Sequence, residues 1–433
     1  MTLAVSLAIA ACLTMASEEE LAFVSNRVTH VEVTRGTPES DAVRFYSNAQ
    51  RTEFAEFNYD ESKAGVAGRD FALEDPLVFA DGRKVADKAD WAARRRELLA
   101  LFEREVYGRM PPKPDEMDFE LLSEKTTDDR FGLVRRYRQW FKKGHTGPFV
   151  DWIAFVPRHA KMPCPVIVSL SYKENDKVLE GSSNHFFIPV GEIMAKGYAF
   201  MSAHYTQITG DAADGGGVFN GVYELWGRRD FAKMDNPGSL MVWAWALCRG
   251  LDLAEKVPEF DAKRNVVIGY SRLGKAALLA AAFDERFAVC IPNQTGAVGV
   301  QLMKRDYGET LEGQRLMFAH WYCRNVWKYA ADPRATPFDQ HLLLACVAPR
   351  TLLLECYHKR WFDPRGEWLS AKAASPVWEF LAGRGLGADD WPEPYSAELV
   401  RPPLGYVRRT ESHGLAPCDW EWALDFADRA LGR

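Results

Sequence analysis

From Cys164 onward the chain alternates short continuous apolar runs with longer stretches whose apolar residues recur at helical spacing. The runs are PVIVSLSY (165–172), YAFMSAHY (198–205), NVVIGY (265–270), FAVCIPN (287–293) and RTLLLECY (350–357). Each is too short for a helix and apolar at successive positions, which predicts strands covered on both faces. Helical stretches lie between and after them: GSLMVWAWALCRGLDLAEKV, GKAALLAAAFD, SPVWEFLAGRG and DWEWALDFADRAL. Strand and helix in alternation predict an α/β fold, a mostly parallel central sheet flanked by helices and joined by right-handed crossovers. Upstream, a helix is predicted from Asp90, with Trp91, Leu98, Leu99, Leu101, Phe102 and Val106 on its apolar face. Gly108 and Pro111-Pro112 stop it. FGLVRRYRQWF and GPFVDWIAFV then alternate as an antiparallel opening to the sheet. No period is sustained before residue 76. Residues 18–75 read as an irregular N-terminal arm or short strands, and 76–433 as one domain.

Composition narrows the function. The 433 residues are 47% hydrophobic and 26% charged, with a net charge of −6. This is ordinary globular composition, without the basic footprint that nucleic acid or an anionic membrane surface requires. Fourteen Trp exceed the usual count; surplus aromatics often line sugar-binding clefts, but most here read as ordinary core filling. No two of the eight Cys stand in a C-x-x-C spacing, which excludes a zinc knuckle or thioredoxin-type motif. Cys346 and Cys356, within apolar runs, read as buried thiols. There is no metal constellation and no phosphate-cradling loop, so no cofactor is expected. Residues 3–16 form an apolar run too short to span a bilayer, followed by SEEE. They read as a signal-peptide core within 1–17, hence a secreted or periplasmic protein, and a lipoprotein box ending at Cys12 is the other reading. A monomer is expected.

The chemistry concentrates at Val266–Leu279, VVIGYSRLGKAALL. An apolar strand runs into Ser271, and a helix of small residues follows, which is the strand–turn–helix setting of a nucleophilic serine. Gly269, two before the serine, allows the sharp turn; two after it stands Leu273, and the second glycine is Gly274. The alternative is a serine that merely caps a helix. If Ser271 is the nucleophile, the helix start beneath it aims N–H groups at an oxyanion; the Arg272 N–H is the natural donor, and its guanidinium would add a charged one. Lys275 lies one turn on along the same helix face and would suit an oxygen-rich or anionic substrate. The α/β-hydrolase chain order then asks for a base near the end. His413, after the apolar-to-basic run Tyr406–Arg409, is the best placed of the nine His; His341 precedes a strand and reads as structural. The acid is not evident. The loop after 350–357 is basic, and Glu355 lies within the strand itself.

These residues resemble a known family. Gly269–Lys275, GYSRLGK, is similar to the G-C-S-R-x-G-K signature of the glucuronoyl esterases, carbohydrate esterase family 15. The likeness extends through RRRELLALFEREVYGRMP, FDERFAVCIPNQTG, FAHWYC, FDQHLLLACVAPR, WFDPRGEWLSA and SHGLAPCDW. It implies an α/β-hydrolase fold and cleavage of the ester between a glucuronic acid of xylan and lignin alcohols. Ser271 would be the nucleophile, His413 the base and Arg272 the oxyanion donor, with Lys275, Glu309 and Trp361 on the sugar. The chain departs from the family at the acid. Gln294 stands where P-Q-E-S-G has its glutamate, and Lys359 where a second carboxylate occurs. Either Gln294 orients His413 as an uncharged partner, or Glu355 reaches it. Two other outcomes stay open: an acetyl or feruloyl esterase, and a carbohydrate-binding pseudoenzyme of the same fold.

Overall fold

The computed structural model describes residues 71–127, 132–178, 187–211, 219–227, 233–357, 362–410 and 413–433, preceded by three isolated strands. These strands, β1 (His30–Thr34), β2 (Ala42–Tyr46) and β3 (Glu53–Phe57), form an antiparallel sheet within the segment read as an irregular arm. Residues 1–17, with Cys12, and the loop residues Lys359 and Trp361 lie outside the described residues.

The main sheet has nine strands: β4 (Asp118–Thr126), β5 (Gly132–Lys142), β6 (Thr146–Pro157), β7 (Cys164–Ser171), β8 (Ala199–His204), β9 (Phe260–Tyr270), β10 (Val289–Asn293), β11 (Thr351–Tyr357) and β12 (Leu404–Arg409). Their spatial order is β12-β11-β10-β9-β7-β8-β6-β5-β4. Pairing is parallel from β8 through β12 and antiparallel from β8 back through β6 and β5 to β4. The helices are α1 (Lys88–Phe102), α2 (Val190–Ala195), α3 (Ser239–Ala254), α4 (Arg272–Phe283), α5 (Leu311–Phe318), α6 (Gln340–Ala345), α7 (Pro364–Ala382) and α8 (Pro417–Ala430).

The two-residue period of a strand divides the core into two layers. Val166, Val168, Val267, Leu352 and Leu354 face one layer with α1, α3, α4 and α7. Ile167, Val266, Ile268, Leu353 and Val407 face the other with α2 and α8. All sixteen residues of α3 are buried, which is why that segment is apolar around its whole circumference. Among the described residues six cysteines, Cys346 and Cys356 among them, are buried, and Cys418 is half-buried.

Two elements differ from expectation. β4 carries no clear apolar alternation because it is the sheet's outer strand and is largely exposed. α7 begins at Pro364 rather than near Ser375, and Pro376, which reads as a helix start, lies inside it. The real start is set by Asp363, whose carboxylate accepts from the Gly366 N–H at 2.8 Å and is held by Arg305 at 2.5 Å.

Candidate active site

The parallel strands deliver the ends of β9, β10, β11 and β12 to one edge of the sheet, and Ser271, Gln294 and His413 meet there. Ser271 occupies the single position between β9 and α4. Its backbone has φ 57° and ψ −128°, a strained conformation for a residue with a side chain. The strain is locked in from both sides. A Cβ at Gly269 would lie 2.1 Å from the Leu273 carbonyl oxygen. One at Gly274 would lie 2.8 Å from the carbonyl oxygens of Gly269 and Asn293. The helix thus presses on the strand at 274, so the second glycine is needed there, while Leu273 points into the core. Ser271 stands at the N-cap of α4, yet its side chain makes no capping bond. Its Oγ lies 3.2 Å from Nε2 of His413 instead, contrary to a capping role.

His413 is held four residues past the end of β12 by aromatic rings. Tyr270, Phe362 and Tyr357 have centroids 4.6, 4.9 and 6.0 Å from the imidazole. The far nitrogen, Nδ1, is 3.0 Å from Gln294 Oε1. Gln294 follows β10 with φ 49°, and its amide is fixed by Gly414. Nε2 donates to the Gly414 carbonyl at 2.9 Å, and the Gly414 N–H donates to Oε1 at 3.3 Å. A flipped amide would set two donors and two acceptors against each other, so Oε1 must face the imidazole. Nδ1 then carries the proton, and the Nε2 lone pair faces the serine hydroxyl.

Of the two candidate orienters, Gln294 therefore takes the place beside His413. Glu355 turns to Asn293, whose side-chain amide donates to Oε2 at 2.8 Å. The reason is register: Glu355 pairs with Asn293 across β10 and β11, one residue short of Gln294. Burial pushes the Glu355 carboxyl far above the usual range, and the negative Asp419 pushes it further. Asp419 itself is salt-bridged to Arg409 at 2.9 Å, and Arg409 also donates to the Gly414 carbonyl. Both the amide and this guanidinium thus fix the turn that carries His413.

On the other side of Ser271 the polar groups are charged. The Arg272 guanidinium lies 4.7 Å over the Trp321 ring and is ion-paired with Asp211. Asp211 also accepts from Tyr205 Oη at 3.0 Å and Trp321 Nε1 at 2.6 Å, with His320 Nε2 at 2.9 Å. Burial alone would raise its pKa; His320, Arg272 and Trp321 together hold it below the usual carboxylate range. Lys275 is 3% exposed, with Nζ 3.7 Å from Glu309 Oε2 and 5.2 Å from the Trp321 centroid. Burial lowers the lysine and raises the glutamate, so both are drawn toward their neutral forms. Gly296 makes room for Glu309: a Cβ there would lie 2.4 Å from Oε2. Beneath them Glu367 is fully buried, accepts from the Gly296 N–H at 3.2 Å and is pushed up to about 8 by burial. His341, expected to be structural, is buried with Nε2 2.7 Å from the Glu74 carbonyl.

The sequence did not single out Asp211, His320 or Trp321. Asp211 lies in a Gly- and Asp-rich stretch (GDAADGGG) with no periodicity. The one available signal was FAHWYC, a stretch of the family likeness outside any predicted element, which by itself gave neither His320 nor Trp321 a role.

Comparison with known proteins gives the family. The profile of fungal glucuronyl esterases matches residues 143–382, more than half of the chain. Carbohydrate esterase MZ0003, from an unknown prokaryotic organism, is 30% identical over 87% of this chain and 92% of its own length. The 4-O-methyl-glucuronoyl methylesterase 1 of Phanerochaete chrysosporium is 28% identical over 72% of this chain, a match that spans 62% of that enzyme. The structure of a glucuronoyl esterase from Solibacter usitatus superposes with a TM-score of 0.76 at 32% identity, covering 84% of this chain and 98% of the other. The chain belongs to the glucuronoyl esterase family, carbohydrate esterase family 15, with the α/β-hydrolase fold.

Proposed function

We propose that the protein hydrolyses esters of 4-O-methyl-glucuronic acid, as borne by xylan and linked to lignin alcohols, through an acyl-enzyme on Ser271. The observation that carries this reading is the continuous relay Ser271 Oγ, His413, Gln294, with contacts of 3.2 and 3.0 Å, beside the buried Lys275–Glu309 pair. Ser271 Oγ adds to the ester carbonyl carbon while His413 Nε2 takes its proton. The developing oxyanion is met at the start of α4 by Arg272. Collapse expels the alcohol, which leaves with that proton, and water repeats the sequence to release the uronate. Lys275 and Glu309 bind the sugar, as does Trp361, which lies outside the described residues.

Replacing the acid of a serine protease triad by its amide costs about 10⁴ in turnover, because the histidine then holds the wrong tautomer. That cost does not carry over here. The Gly414 contacts force the Gln294 oxygen toward Nδ1–H, so the right tautomer is kept, and what is lost is the negative charge that would balance an imidazolium. We therefore expect an active but slowed esterase. The apolar segment 3–16 supports export.

Hydrolysis of benzyl and methyl glucuronate, set beside p-nitrophenyl acetate, tests the reading. Wild type should cleave the glucuronates preferentially, and Ser271→Ala should be inert. Preference for the acetate would point to another ester. An inert wild type that still binds glucuronoxylan would mean a pseudoenzyme.

A further inference from the structure

Asp211 lies far from the serine in sequence, yet four donors from three separate segments meet on its carboxylate. Tyr205 Oη and Arg272 Nη1 reach Oδ2, while His320 Nε2 and Trp321 Nε1 reach Oδ1. Its side chain is 4% exposed. So complete a set of partners is what keeps a carboxylate ionised away from water. Its ionisation matters for one neighbour above all. Arg272 leaves the backbone immediately after the strained serine, and its side chain has long, flexible freedom unless something holds it. Here it is held twice. Asp211 grips one guanidinium edge, and the plane lies over Trp321, with Phe318 5.5 Å away. Trp321 is in turn stacked on Phe318 at 3.9 Å and 6°, and its indole N–H is tied back to the same Asp211. One carboxylate thus fixes both the cation and the ring it rests on.

We propose that Asp211 is a positioning residue for ester hydrolysis: it holds the Arg272 guanidinium in one orientation beside Ser271, so that Arg272 meets the oxyanion without reorganising during the reaction. The inference rests on the oxyanion role given to Arg272 above. It concerns a step felt in the transition state, so the effect belongs in kcat and not in substrate affinity.

The test is a double-mutant cycle on benzyl glucuronate with Asp211→Asn and Arg272→Met. Asparagine keeps an oxygen for Trp321 and removes the charge. Asp211→Asn alone should lower kcat at least tenfold while KM stays within about twofold. In the Arg272→Met background the same change should have almost no further effect. Inhibition by phenylboronic acid, which forms an anionic tetrahedral adduct on a serine, should weaken in parallel with kcat. Additive losses, or a rise in KM with kcat intact, would overturn the proposal, since Asp211 would then act on the fold or on the sugar. If Arg272→Met alone leaves kcat unchanged, it is the oxyanion assignment that fails. Should Asp211→Asn not fold, Tyr205→Phe removes one of the four bonds and leaves the charge. It should cut kcat a few fold in the wild-type background and not in Arg272→Met, and equal losses in both would contradict the inference.

Discussion

The two flanks of Ser271 are built on opposite electrostatic plans. On the His413 side the partner of the imidazole is a neutral amide, locked by two bonds to Gly414, and the nearby carboxyl of Glu355 is driven toward its protonated form. On the Arg272 side two basic groups, the half-buried Arg272 and the buried Lys275, lie over one indole ring, each with its own carboxylate. The difference separates two tasks that a charged triad merges. Orientation of the base needs only hydrogen bonds of fixed sense, which an amide supplies. Stabilising charge that develops on substrate needs preorganised cations, and these are on the other flank.

The largest expected effect removes the neutral flank's working group. His413→Ala should lower kcat on benzyl glucuronate by about 10³-fold or more with the fold intact by circular dichroism. A small loss would mean that the imidazole is not the base. On the charged flank, Lys275→Met should raise KM for glucuronate esters about tenfold. Activity on p-nitrophenyl acetate should change little, because that ester has no sugar to grip. Glu309, already pushed toward its neutral form by burial, would take up a proton when its cation is lost, so the variant should still fold. The most informative change gives the neutral flank a charge. Gln294→Glu should raise turnover by about tenfold through a balanced imidazolium. It should also lower the melting temperature, because a carboxylate oxygen would replace the amide donor that faces the Gly414 carbonyl at 2.9 Å. Unchanged turnover would show that charge on this flank does not limit the rate.

The smallest effect lies below the charged flank. Glu367 is raised to about 8 by burial, above its unfolded value near 4.5. Folding then takes up a proton between those two pH values, so stability falls as pH climbs from about 4.5 to 8 and stays low beyond. Glu367→Gln mimics the protonated form. It should match wild type near pH 4 and melt a few degrees higher at pH 9, read by thermal unfolding across that range. A variant that melts lower at both would mean that the ionised carboxylate is what the site uses.

How far the sequence foretold this depends on the kind of signal. The parallel strands were legible because burial on both faces leaves unbroken apolar runs. Ser271 was legible because an apolar strand, a small turn and an alanine-rich helix are all visible in the string. The offset second glycine was visible but unexplained until the helix was seen to press on the strand at Gly274. β4 was missed because an exposed outer strand has no apolar face to announce it, and the start of α7 because Pro376 imitates one. Gln294 stood out as a departure from a resembled motif, yet only three dimensions show that register denies Glu355 the imidazole. Asp211 was invisible: its meaning comes from four partners scattered over more than a hundred residues, and no local pattern encodes that.

The central claim, that the hydroxyl of Ser271 is made nucleophilic by an imidazole oriented by an amide, is tested most directly by labelling with a fluorophosphonate ester and locating the adduct by peptide mass spectrometry. The account predicts one adduct on the Ser271 peptide, formed at a rate that falls sharply in His413→Ala and rises in Gln294→Glu. Hydrolysis of benzyl glucuronate that persists with Ser271 unlabelled, or labelling of Ser271 at the same rate without His413, would contradict it.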